Sequence, residues 1–165
     1  MRTSHDRISR VGLPAIALAC VLAGPALAGV PLPFLGGGGK VKVTITAAAN
    51  SNNCGGDAAS ALKVRVFAVA DEAGIRTVLN NKGLSWSKQI EAAGANVLGK
   101  PVEDFVAPGT SKTLVIARDP KAKVIVVEGN YCKKAGADWY FVHPAKKKSL
   151  KLTSGAMGFT LTTGK

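Results

Sequence analysis

Three cysteines, two histidines and a sparse set of carboxylates are the side chains of this sequence that could cleave, transfer or ligate. Outside the leading segment one histidine remains, His143, and it stands beside Pro144 at the end of an alternating stretch, a place suited to an exposed or capping imidazole. No serine sits in a GxSxG elbow. The neighbouring carboxylates Asp71-Glu72 and Glu103-Asp104 read as turn flanks. Adjacent residues in extended backbone face opposite ways, so neither pair makes the acid and base of a hydrolase. Cys54, Cys132 and His143 lack the CxxC or HxxxH spacing of a zinc site. Around Gly39-Lys40, Phe34 and Val41 occupy the positions where a phosphate-binding loop needs a glycine and a hydroxyl. The inventory therefore predicts neither an enzyme nor a bound metal or cofactor.

The cysteines are better explained by export. Arg2, Arg7 and Arg10 against Asp6 precede an apolar run from Val11 to Leu22 that is short for a bilayer span, the pattern of an export signal. Pro25-Ala26-Leu27-Ala28 offers the small-x-small pattern for cleavage after Ala28, giving a signal peptide of residues 1–28. Ala17-Leu18-Ala19-Cys20 is a weak lipobox that would instead end the signal at 19 and put lipid on Cys20. Both routes stay open. The two remaining cysteines, Cys54 and Cys132, would reach an oxidising compartment, where a bridge closing so long a loop adds about 4 to 5 kcal/mol of stability. A free buried pair is the alternative. Loss of residues 1–28 removes three arginines and one aspartate and leaves a net charge of +10.

The elements that would carry these residues are short. Apolar residues make up 47% of the 165-residue chain and charged ones 19%, enough for one core and too apolar for general disorder. Residues 29–39, ending in four glycines, read as a flexible tether ahead of a domain over 40–165. Val41, Val43 and Ile45 alternate with Lys42, Thr44 and Thr46. Leu62, Val64, Val66 and Ala68 alternate with Lys63, Arg65 and Phe67. Further strands are predicted at 102–107, 111–117, 123–131, 138–143, 149–153 and 157–162, separated by turn signals such as Pro108-Gly109 and Asp119-Pro120. On the same alternation Trp139 and Phe141 share a face and Tyr140 takes the other. Only about residues 75–93 carry helical spacing, through Val78, Leu79, Trp86, Ile90 and Ala93. The fold class is all-β: a two-sheet β-sandwich of about eight strands with a small helical insertion.

Two surface features remain. The connection between the first two strands is rich in Asn and Gly, poor at filling a core and well supplied with amide donors and acceptors for a partner, although a plain surface loop has the same composition. Lys146-Lys147-Lys148 with Lys151, and Lys133-Lys134, form either a patch for anionic lipid or nucleic acid, or a lysine-guarded edge strand. Export argues against nucleic acid.

The order of an export signal, a tether, KVKVTITAAAN, the Asn/Gly loop, ALKVRVFAVAD, a helical stretch with LSW, then APGTSKTLVIA, VIVVEGNY and ADWYF resembles the outer-membrane lipoprotein of type VI secretion systems, the TssJ (SciN, VasD) family, over about residues 40–163. The resemblance implies a transthyretin-like sandwich without catalytic activity, acylated on Cys20 and held at the inner leaflet of the outer membrane. It also implies that the loop Asn50, Ser51, Asn52, Asn53, Gly55, Gly56 and Asp57 docks the periplasmic part of the inner-membrane protein TssM. The sequence departs from the family pattern in its poor lipobox and in carrying Cys54 within the loop, where a bridge to Cys132 would stiffen it. The rival reading is a soluble periplasmic sandwich whose basic face binds anionic lipid or polysaccharide.

Overall fold

The computed structural model describes residues 39–55, 58–134, 136 and 138–162. The expected signal peptide, Cys20, the expected tether as far as residue 38, and the loop residues Gly56 and Asp57 lie outside the described residues.

Eight strands form two four-stranded sheets. In chain order they are β1 (Lys40–Ala47), β2 (Leu62–Val69), β3 (Val97–Val106), β4 (Ser111–Ala117), β5 (Val124–Gly129), β6 (Tyr140–Pro144), β7 (Ser149–Ser154) and β8 (Phe159–Leu161). One sheet runs β4-β1-β7-β8 and the other β3-β2-β5-β6. All neighbours are antiparallel except β1 and β7, which run parallel with Val43 beside Leu150 and Ile45 beside Leu152. The alternation read in β1 holds: Val41, Val43, Ile45 and Ala47 are buried and Lys42 and Thr46 exposed, as period two requires of a half-buried strand.

The second sheet departs from that pattern because both of its faces are covered. Arg65 and Phe67, which alternate with the core residues of β2 and would face solvent on a bare sheet, are buried. Helices α1 (Glu72–Asn80) and α2 (Trp86–Ala93) lie on that face. Ile75 and Leu79 of α1 belong to the core, with Val78, Ile90 and Ala93 packed against it. Each fully buried side chain of this size contributes roughly 1.5 to 3 kcal/mol. The helices begin earlier than the predicted insertion because Asp71 caps α1, its carboxylate accepting from the Gly74 N–H at 2.9 Å.

Strand β3 starts five residues before the predicted 102. Gly99, at φ 74°, and Pro101 interrupt its sequence pattern, and the pairing with β2 absorbs them as a bulge between Val66/Val102 and Ala68/Leu98. Glu103 and Asp104 consequently stand inside a strand and not beside a turn. Glu103 faces Lys63 at 2.6 Å, while Asp104 faces Lys112 at 2.7 Å, whose ammonium holds the aspartate below its usual range. Trp139 precedes β6 in a turn and packs edge to face on Tyr140, so the alternation predicted from Trp139 begins only at Tyr140.

Strand direction gives the sandwich two distinct poles. Gly39, where the described chain begins, accepts from the Arg118 N–H at 2.8 Å. At the same pole Lys42 N–H donates to Lys148, Lys123 N–H to Val69 and Ala145 N–H to Lys123. Eight residues of β1, about 25 Å of extended chain, lead from there to the β1–β2 connection at the other pole.

Candidate functional site

The β1–β2 connection is a built structure. Ala48 N–H donates to Ser154, and Asn52 and Asn53 N–H groups donate to Gly155 and Ala156, so the chain leaving β1 continues along the β7–β8 turn. Asn53 and Ala59 then pair as an isolated antiparallel bridge that closes the loop tip. Within the tip the Gly55 N–H donates to the Asn53 side chain at 2.8 Å, a local turn that asparagine supports well.

Two buried polar clusters hold this frame. The Ser51 hydroxyl meets the Ser154 hydroxyl at 2.7 Å, and the Tyr131 hydroxyl reaches the same Ser154 oxygen at 2.8 Å. Burial pushes the Tyr131 phenol up from its ordinary value, so it stays neutral. Asn52 spans the second cluster: its Nδ2 donates to the Ala61 carbonyl at 3.1 Å and its Oδ1 accepts from the Cys132 N–H at 2.9 Å. Asn52 has φ 51°, the left-handed region that asparagine tolerates better than most residues. A disulfide joins Cys54 to Cys132 beside it, with Cα atoms 5.0 Å apart.

These contacts divide the predicted loop residues by role. Ser51 and Asn52 are buried and form the internal support of the loop, not its outer surface. Asn50 and Gly55 are exposed and Asn53 half-exposed. The sequence did not single out Ser154, Tyr131 and Ala61, which complete the support; nothing local in Ser154 or Tyr131 signals a partner more than twenty residues away, and Ala61 takes part only through its backbone carbonyl. Asn52→Ala removes both side-chain hydrogen bonds and leaves a Cβ residue without local compensation at positive φ, so it is expected to destabilise the domain by about 2 to 3 kcal/mol. Asn52→Gly is expected to recover roughly 1 kcal/mol of that by relieving the backbone. Urea unfolding of the two variants measures both, and equal midpoints would show that backbone conformation contributes nothing.

Beside the bridge, Lys134 lies 3.8 Å over the Trp139 ring, a cation–π contact. With Leu79, Lys82 and Leu84 these residues line a cleft of about 410 Å³ at the loop pole.

The remaining candidates are dispersed. His143 sits on β6 opposite Ile125, at the pole away from the loop, so the imagined zinc trio of Cys54, Cys132 and His143 does not assemble. His143 is also buried, not exposed: it lies on the inner face of β6, opposite Ile125, and its Nε2 has no hydrogen-bond partner among the described residues. Burial and the nearby Lys147 charge lower its pKa, against the Ser149 backbone. Lys133 and Lys134 flank the disulfide, whereas Lys146–Lys148 form the β6–β7 turn at the opposite pole, so the predicted basic residues make no single patch. Lys151 lies on β7, an inner strand of its sheet, so a lysine-guarded edge does not describe it.

The chain is thus a two-sheet sandwich that displays a polar loop cross-linked through Cys54 and Cys132, with His143 at the opposite pole. The match of residues 39–162 to the family model described as Type VI secretion lipoprotein, VasD, EvfM, TssJ shows that the chain belongs to that family, an envelope-associated component of type VI secretion. Among solved structures it is similar to Serratia marcescens Lip, a membrane-bound component of the type VI secretion system, at 18% identity and TM-score 0.63, over 75% of this chain and 97% of that one. The lipoprotein TssJ1 from Pseudomonas aeruginosa matches at 16% identity and TM-score 0.64, covering 78% and 98%. A chain of a structure described as the TssM C-terminal domain from EAEC matches at 13% identity and TM-score 0.62, covering 76% and 98%. At these identities the likeness is one of fold. A search of curated proteins gave no match.

Proposed function

We propose that this chain is a non-enzymatic component of a type VI secretion membrane complex, that acyl chains on Cys20 hold it at the periplasmic face of the outer membrane, and that its β1–β2 loop docks the periplasmic domain of a TssM-like inner-membrane protein. The observation that carries this reading is the placement of the loop: it is supported from within by Ser51, Asn52 and the disulfide, and it stands at the pole opposite the one where the chain comes in from its amino-terminal segment. A protein tethered at one end and recognised at the other can link two membranes. Pre-ordering the loop lowers the entropy lost on docking, and its exposed Asn50 and Gly55 with the half-exposed Asn53 supply polar contacts; by sequence, Gly56 and Asp57 belong to the same proposed docking segment.

Asn50 and Ala58 flank the tip and are both exposed, so Asn50→Arg/Ala58→Arg places bulk and charge on the docking face without entering the core. This double variant is expected to weaken capture of the periplasmic domain of the TssM-like protein at least a hundredfold in a titration, with an unchanged unfolding midpoint. Capture at wild-type affinity would remove the loop from the interface. The mass of the mature amino terminus separately distinguishes an acylated Cys20 from a free Gly29.

A further inference from the structure

The pole opposite the loop has a chemistry of its own. Lys121 and Lys123 stand in the β4–β5 connection, Lys146, Lys147 and Lys148 in the β6–β7 turn, and Lys40 at the start of β1; all six are exposed. Backbone hydrogen bonds draw these three segments together: Arg118 N–H to Gly39, Lys42 N–H to Lys148, and Ala145 N–H to Lys123. None of the six lysines forms an ion pair with a described residue. Asp119 lies in the same connection, half-buried, and accepts from the Lys121 N–H. On the helix side Asp71 caps α1 and Glu72 pairs with Arg76, so their charges are already engaged. Surface lysines are ordinarily scattered among acids. Here they converge where the chain comes in from its amino-terminal segment.

A cleft of about 460 Å³ opens beside them, between β6 and the β7–β8 pair. Strand β8 is only three residues long, which leaves Phe141 half-exposed and Leu161 51% exposed above the buried Leu150. Lys147 and Lys151 also line this cleft, and the unpartnered Nε2 of His143 is buried against it. Cations beside exposed hydrocarbon suit the boundary between headgroups and acyl chains better than they suit a soluble polyanion.

We infer that this basic pole is a docking surface for an anionic phospholipid bilayer, with Lys121, Lys123 and Lys146–Lys148 set against headgroup phosphates and the Phe141–Leu161 cleft facing the acyl boundary. This rests on the reading that the amino-terminal segment anchors the chain, because anchoring makes this pole the membrane-proximal one. The surface then orients the sandwich on the membrane and turns the loop pole toward the periplasm, which a flexible tether by itself does not do. A lysine near an anionic surface contributes about 1 kcal/mol, or about fivefold in partitioning, and the effect fades with added salt as the Debye length shortens.

The test separates the pole from the anchor. The full exported chain carrying Cys20→Ser, which cannot be acylated, is sedimented with vesicles of phosphatidylethanolamine containing phosphatidylglycerol and with vesicles of neutral lipid alone. Binding to the anionic vesicles is expected, with little to the neutral ones. Lys146→Gln/Lys147→Gln/Lys148→Gln is expected to lower that binding roughly tenfold to a hundredfold. Lys82→Gln/Lys133→Gln/Lys134→Gln removes the same charge at the loop pole and is expected to change it less than threefold. Equal losses from the two triple variants would reduce the effect to net charge and overturn the proposal. So would equal binding to neutral vesicles, or full competition by a soluble anionic polysaccharide. Failure of acylation at Cys20 in cells would count against the anchor and leave these vesicle results as they are.

Discussion

Replacing Arg65 with methionine is expected to destabilise the domain by about 3 to 5 kcal/mol at pH 8, because the substitution leaves a carboxylate buried without its counter-charge. Glu128 is fully buried. Arg65 Nε donates to its Oε2 at 2.6 Å and Nη2 meets the same oxygen, while Oε1 has no partner among the described residues. The guanidinium also donates to the Trp86 carbonyl at 3.1 Å, lies 4.2 Å over the Trp86 ring and reaches Gln89 Oε1 at 3.4 Å. It therefore ties helix α2 to the sheet as well as neutralising Glu128.

The cost should depend on pH, with a definite sign. Burial raises the Glu128 carboxyl to about 7, against the pull of Arg65 and of the more distant Lys134, with Glu103 adding to the rise. In the unfolded chain the same group titrates near 4.5. The folded state thus holds a proton that the unfolded state has released. Its contribution to stability is fully present below about pH 4.5 and is lost as pH rises through about 7. Removing Arg65 takes away the main attraction for the ionised form and pushes the carboxyl higher still. Arg65→Met should therefore cost less at pH 5, where Glu128 is protonated, than at pH 8. Arg65→Met/Glu128→Leu should recover most of the loss and flatten the difference. Urea unfolding of the three proteins at both pH values decides it. A penalty below about 1 kcal/mol at pH 8, or an equal one at the two pH values, would mean that water or local opening already relieves the carboxylate.

This pair also marks where the sequence was hard to read. Alternation located β1, β2 and β4 almost to the residue, since those strands have one buried face or well-defined ends. The same alternation placed Arg65 with Lys63 on a solvent face, and only the helices reveal otherwise. Two signals pointed the other way: Phe67 shares that face, and VIVVEG in β5 is apolar on both sides, as a strand covered twice must be. Glu128 at the end of that run is opposite Arg65 in the register, a pairing that no local pattern discloses. The loop shows a similar limit. Its Asn and Gly content identified a polar connection, and the family resemblance supplied a role. Which of its residues turn inward depends on Ser154, Tyr131 and Cys132, all distant in sequence. The basic pole was legible only in part: Lys146-Lys147-Lys148 stand together in the sequence as a possible lipid patch, but Lys40, Lys121 and Lys123 join them only through the strand directions.

Loss of the disulfide through Cys54→Ser/Cys132→Ser is expected to lower stability by about 4 to 5 kcal/mol, since the bridge closes a separation of 78 residues and removes that much loop entropy from the unfolded chain. For a domain of this size the melting midpoint should fall on the order of 15 °C. The double substitution avoids leaving an odd thiol. The loop would not be released outright, because Asn52 still accepts from the residue-132 backbone N–H and Ser51 still meets Ser154. What loosens is the chain from Cys54 onward, which among the described residues keeps the Asn53–Ala59 bridge and the Gly55 N–H bond to the Asn53 side chain. Fixing each freed residue again on docking costs about 1 kcal/mol or more, so capture of the TssM-like periplasmic domain should weaken by tenfold or more below the melting transition, mostly through faster dissociation. A variant that melts at the wild-type temperature would show that the unfolded chain gains little freedom. One that melts early and binds at full affinity would show that the bridge stabilises the sandwich without ordering the tip, and docking would then rest on surface chemistry without pre-organisation.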